Sequence, residues 1–173
     1  MQDQELFALV FQGKRELGVN SKKFAGSLTV EMLKHALETH GILVSPRDVF
    51  VRGVGVEIDL LLPKRKKANP KYGLLYEPED VLAVLEVKEL GSWGQQTLNQ
   101  IRRNFELIRQ ISNDIYCAYV TLTERRGFKQ AITTENLGFP AYTLFWYRGN
   151  DVENTEPTGD FERLLNDLRK IAH

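Results

Sequence analysis

Four charged residues stand out by type and spacing: Glu57 and Asp59, two apart, and Glu86 and Lys88, also two apart. In an extended chain residues i and i+2 project to one face, so each pair would share a face of its own strand. Two such strands paired antiparallel would bring Asp59 beside Glu86. Carboxylates facing each other in a largely apolar sheet repel and are costly to desolvate unless a divalent cation or an ammonium compensates them. Oxygen donors of this kind suit Mg²⁺, with Mn²⁺ as the alternative. The one cysteine, Cys117, and the three histidines, His35, His40 and His173, lack the spacing of a cysteine- or histidine-based metal site. Cys117 is expected to be an inert core thiol, and His35 and His40 to be structural.

The chain around these residues has the character they need. Residues 54–62 read as one strand in which Val54, Val56, Ile58 and Leu60 oppose Glu57, Asp59 and Leu61. Residues 81–87 are a nearly continuous apolar run that breaks at Glu86 and then Lys88, the pattern of a strand buried on both faces except at its end. The connection between the two runs, 64–80, holds Pro70, Pro78, Lys71 and the tract Lys64-Arg65-Lys66-Lys67. Connections of this length are often functional. Because this one joins both acid-bearing strands, its four consecutive cations are candidates for contact with a phosphate backbone.

Further out, apolar spacing predicts a helix over 2–17 and a second one, capped by Ser27 or Thr29, that runs to Thr39 with Leu28, Met32, Leu33, Ala36 and Leu37 on its apolar face. Leu98, Ile101, Phe105, Ile108 and Ile111 predict an amphipathic helix over 95–111. Strands are expected at 115–122 and 142–147, a short helix within 128–137, a polar loop at 149–160 and a closing helix over 158–172. This order favours an α/β sheet with helices on its faces. No linker divides the chain, so one domain over 1–173 is expected, with a core at about 24–122 and the two terminal helices as additions.

Composition narrows the function classes. With 42 % hydrophobic and 27 % charged residues the chain is neither disordered nor fibrous, and 23 Lys+Arg against 23 Asp+Glu leave no global field to attract a polyanion. Electrostatic targeting must therefore be local. The stretch from Leu6 to Phe11 is too short to span a bilayer and follows Asp3 and Glu5, so neither a signal peptide nor a membrane partner is expected, and a reducing cytosol is the simplest setting.

On Asp59 and Glu86-Val87-Lys88 the sequence resembles the PD-(D/E)xK nuclease superfamily, also called restriction-endonuclease-like. There an acid at the end of one core strand is followed by an (E/D)-x-K triplet on its neighbour; here Ile58 stands where the family name has proline. An acid on the preceding helix often completes the metal site, and in Gly26-Ser-Leu-Thr-Val-Glu31 the better match is Glu31, with Glu38 second. Many relatives carry a glutamine on the helix after the triplet, where Gln96 and Gln100 could face the site. The resemblance covers about 24–122. It implies a central mixed sheet flanked by helices in αβββαβ order and a Mg²⁺-dependent nuclease that hydrolyses phosphodiester bonds, with DNA the favoured substrate. Asp59, Glu86, the Val87 carbonyl and Glu31 would hold the metal, and Lys88 would orient or help deprotonate the attacking water.

Glu57 would serve as the partner of a basic residue, and Trp93, between Gly91 and Gly94, as an anchoring aromatic. Arg102, Arg103, Arg125, Arg126 and Lys129 are further cations for a backbone, and a homodimer is compatible with the chain. Two other readings compete. A domain of the same fold could bind nucleic acid or a protein without cleaving it, although such domains usually lose the lysine or one acid. An accidental E-x-K would leave Asp59 and Glu86 apart.

Overall fold

The computed structural model describes residues 3–17, 22–65, 68–91, 94–126, 131–148 and 151–172. Helices α1 (Asp3–Leu17) and α2 (Lys22–Thr39) come first, then the short strands β1 (Val49–Val51), β2 (Glu57–Ile58), β3 (Leu60–Pro63) and β4 (Leu75–Tyr76). A 3₁₀ turn at Pro78–Asp80 leads into β5 (Val81–Leu90) and α3 (Gln95–Ile111). The remainder is β6 (Tyr116–Arg125), α4 (Thr134–Leu137), β7 (Ala141–Arg148), β8 (Asp151–Pro157) and α5 (Asp160–Ile171).

Five strands form the main sheet in the order β3-β5-β6-β7-β8, parallel through β5, β6 and β7 and antiparallel at both edges. Side-chain alternation along the strands serves two cores. Leu60, Leu62, Leu85, Val87, Ala118, Val120 and Leu122 face α1, α2 and α5, where Phe7, Val10, Leu33, Leu37, Leu164 and Leu168 meet them. Leu61, Val84, Cys117 and Tyr119 face the other way, against Leu98, Ile101, Phe105 and Ile108 of α3. A three-stranded sheet, β2-β1-β4, packs on this second side through Val49, Val51, Ile58 and Tyr76. Coverage of both faces explains why the first half of β5, Val81 to Leu85, reads as an unbroken apolar run.

Several elements differ from the sequence expectation. The 54–62 run is not one strand: Asp59 is a bend that sends β2 to the small sheet and β3 to the main one. Helix α2 starts at Lys22, before the expected caps, and Thr29 lies inside it, its hydroxyl donating back to the Ala25 carbonyl at 2.8 Å. Such back-bonding satisfies the hydroxyl without ending the helix. Glu31 is therefore a mid-helix residue. The 149–160 segment, expected as a loop, contains β8, which pairs antiparallel with β7 through Trp146↔Glu156 and Tyr147↔Thr155. Within 128–137 only Thr134–Leu137 is helical, held by a reciprocal cap between Thr133 and Asn136, while residues 127–130 lie outside the described residues.

Candidate active site

Asp59 owes its position to the break in the chain. The antiparallel register Leu60↔Leu85 and Leu61↔Val84 sets Asp59 opposite Glu86, but at Asp59 the chain leaves the main sheet for β2. Beyond Leu85, β5 has no strand on that side. The Val87 amide donates instead to Asp59 Oδ2, at 2.8 Å. Because the N–H and C=O of one residue in a strand point the same way, the Val87 carbonyl is also turned toward this uncovered edge. Glu86 and Lys88 share the α3-facing side with Val84, and Lys88 Nζ lies 2.5 Å from Glu86 Oε1 and 3.5 Å from Asp59 Oδ2. One ammonium thus serves both carboxylates.

The electrostatics follow from that crowding. Burial pushes the Glu86 carboxyl up, repulsion from Asp59 adds to it, and Lys88 opposes both. Burial also pulls the Lys88 ammonium down, yet the charges of Glu86 and Asp59 outweigh it and the net shift is upward. The result is a partly buried cluster in which the two acids depend on a compensating cation.

Asp59 and Lys88 open into a cavity of about 870 Å³ between α2 and the end of β5, while Glu86 lies behind them on the α3 side. Lys23, Gly26, Ser27 and Val30 line it from one face of α2, Arg47 and Asp48 from the turn before β1, and Glu57, Asp59 and residues 87–91 from the other side. Arg47 braces this wall: Nη1 donates to the Ser27 carbonyl at 3.0 Å, Nη2 lies 3.3 Å from Asp48 Oδ2, and Nε lies 3.5 Å from Glu31 Oε1. Glu31 is engaged there, its side chain half exposed, and does not line the cavity. Glu38, two turns further along the same face of α2, is exposed. Glu57 is an exposed part of the cavity wall and, among the described residues, has no basic partner of the kind expected for it.

Gln96 and Gln100 do not reach the site. The sheet-facing side of α3 is set by Leu98, Ile101, Phe105 and Ile108, and the two glutamines, nearly opposite on the helix, are exposed. Asn104 is the polar α3 residue beside Glu86; the two line a cavity of about 10 Å³ together with Glu57 and Phe105. The described part of the basic tract also lies elsewhere. Lys64 and Arg65 follow the end of β3 away from Asp59, and Lys64 borders a separate apolar cavity with Ile42, Leu168 and Ile171. Lys66, Lys67, Trp93 and Lys129 lie outside the described residues.

Of the other cations, Arg102 donates to the Leu137 and Asn136 carbonyls at the end of α4, and Arg126 pairs with Glu156 at 3.1 Å; Arg103 and Arg125 are exposed. His40 packs edge-on against Phe161, and burial pushes the Cys117 thiol up to about 12. The cavity residues that sequence reasoning passed over are Lys23, Arg47, Asp48 and Glu89. Helical spacing of Lys23 with Ser27 and Val30 could have flagged the first; nothing local marks the others.

No group of three or more acidic, His or Cys side chains that could hold a metal ion occurs among the described residues. That does not conflict with Mg²⁺, which is commonly held by one or two carboxylates and completes its shell with water and substrate phosphate oxygens. Asp59 and Glu86, joined through one ammonium, fit this donor set. No helix among the described residues is long and apolar enough to cross a membrane.

No family model and no curated protein matches the chain. Solved structures do. NucC from E. coli MS115-1 in its cAAA-bound form is 15 % identical, with a TM-score of 0.60 over 98 % of this chain and 90 % of its own. The apo form of the same protein gives 15 % and 0.53 over 98 % and 92 %. The cAAA-bound NucC of P. aeruginosa ATCC27853 gives 12 % and 0.58 over 98 % and 91 %. With its mixed central sheet, flanking helices and near end-to-end match to NucC, the chain has the restriction-endonuclease-like fold.

Proposed function

We propose that the protein is a divalent-metal-dependent nuclease that hydrolyses phosphodiester bonds, with DNA as the favoured substrate. The observation that carries this reading is the meeting of Asp59, Glu86 and Lys88 at the uncovered end of β5, beside an open cavity. Asp59, Glu86 and the Val87 carbonyl would hold Mg²⁺, with Mn²⁺ as the alternative. When bound, such an ion polarises a phosphate oxygen and lowers the pKa of a coordinated water.

The chain's own residues do the rest. Asp59 is held by the Val87 amide and lines the cavity, so its carboxylate is kept in place beside the entering substrate. Lys88, as an ammonium, can donate to a non-bridging phosphate oxygen and offset charge that builds up during in-line attack. Arg47, braced by Ser27, Asp48 and Glu31, keeps the opposite wall in place. In this arrangement Glu31 acts on the site through Arg47.

The decisive experiment incubates the purified chain with plasmid and oligonucleotide substrates in Mg²⁺, Mn²⁺ or EDTA. Since cAAA-bound and apo NucC both match this chain nearly end to end, cAAA belongs among the additions. Cleavage is expected in Mg²⁺ and not in EDTA, and both cleavage and calorimetric Mg²⁺ binding should be lost in Asp59→Ala. Equal Mg²⁺ binding by the wild type and the variant would refute the assignment.

A further inference from the structure

Two non-glycine residues among the described residues hold φ in the left-handed region, Asp48 at 56° and Tyr72 at 59°. Aspartate adopts that conformation readily because its short side chain can bond locally, whereas a bulky side chain is strained there. Tyr72 receives little packing in exchange: it is 82 % exposed, and its ring lies against Lys71, whose Nζ is 5.1 Å from the centroid. A strained and solvated aromatic beside a cation points to use rather than to folding.

Its place in the small sheet suggests that use. β1 pairs with β2 through Phe50↔Glu57 and Val49↔Ile58, and with β4 through Phe50↔Leu75. Because β4 starts and β2 ends beside the N-terminal end of β1, the turn that leads from Lys71 into β4 and the Asp59 that follows β2 lie at the same end of the small sheet. Lys71 is the cation at this turn, whereas Lys64 and Arg65 lie at the far end of β3, where Arg65 Nη2 is 4.0 Å from Asp80 Oδ1.

We propose that the turn at Lys71 and Tyr72 is a nucleic-acid contact, in which Lys71 pairs with a backbone phosphate and Tyr72 lays its ring on the adjoining nucleotide. This rests on the nuclease reading and supplies its substrate grip. The exposed ring, the cation against it and their place at the Asp59 end of the small sheet favour a polyanion over a protein partner.

Tyr72→Asn tests it, because asparagine tolerates positive φ while removing the ring. The variant should melt at or above the wild-type temperature and yet bind a short labelled duplex about tenfold more weakly in Ca²⁺ buffer. Its cleavage should show a raised KM with kcat retained. Tyr72→Trp should keep affinity, and Lys71→Gln should lower the slope of log affinity against log salt by about one. Unchanged affinity in Tyr72→Asn, or no nucleic-acid binding by the wild type, overturns the contact. If DNA is bound and never cleaved, the nuclease reading fails while the Tyr72 comparison is still decided by binding alone.

Discussion

β5 and β6 run side by side in parallel, and each carries a buried carboxylate toward its C-terminal end, Glu86 on β5 and Glu124 on β6. Burial pushes both carboxyls up. Around Glu86 the neighbouring strand departs, a second acid arrives, an ammonium bridges the pair and the cavity opens alongside. Around Glu124 everything closes. That residue is 1 % exposed, accepts the Arg125 amide at 2.8 Å, and occupies the space above Gly91, where an added Cβ would come within 1.5 Å of Oε2. Burial is the leading cause of the rise at both sites, so a raised carboxyl does not by itself mark a catalytic one. Access and a compensating charge make one of the two a candidate for catalysis.

The largest effect that would break this contrast is at Lys88. Replacing it with alanine should cut cleavage by roughly 10²–10³-fold, the range for removing one preorganised transition-state donor, while circular dichroism and DNA affinity stay near wild type. A variant that cleaves normally but melts early would make Lys88 a structural counter-ion, and the β5 end would resemble the β6 end after all.

Gly91→Ala probes the closed side. Its methyl group would collide with the Glu124 carboxylate, and overpacking of this kind costs about 1–3 kcal/mol in urea unfolding. In a double-mutant cycle with Glu124→Ala the penalties should be clearly less than additive. Strict additivity would mean that the two residues do not meet.

The smallest effect is at Glu124 itself. Its native pKa lies above the ordinary 4.5, so between those two values the folded protein binds more protons than the unfolded chain. Stability should fall as pH rises from 4.5 through the native pKa. Glu124→Gln should remove that part of the decline in melting temperature and change stability by less than about 1 kcal/mol at neutral pH. Parallel pH profiles for the two proteins would contradict burial of an ionisable group there.

The helix over 95–111 and the strand that begins at Val81 were legible because their evidence is local. Leu98, Ile101, Phe105 and Ile108 repeat at the helical period, and a run covered on both faces must be apolar throughout. The facing of Asp59 and Glu86 was legible too, since alternation and one antiparallel pairing suffice to place them across from each other. Alternation also runs unbroken from Val54 to Leu62, however, and so concealed the bend at Asp59 that exposes the β5 edge.

What the sequence by itself determined is the periodicity of each segment and the residue types at the site, because short-range sterics and the burial of one face act on neighbouring residues. Which strand each half of 54–62 joins, which side of α3 meets Glu86, that the polar 151–157 segment becomes β8, and that Lys64 and Arg65 leave the site while the turn before β4 comes to the Asp59 end of the small sheet were decided by tertiary structure. Those outcomes depend on long-range pairing, whose gain comes from surfaces distant in sequence and leaves no period in the chain to read.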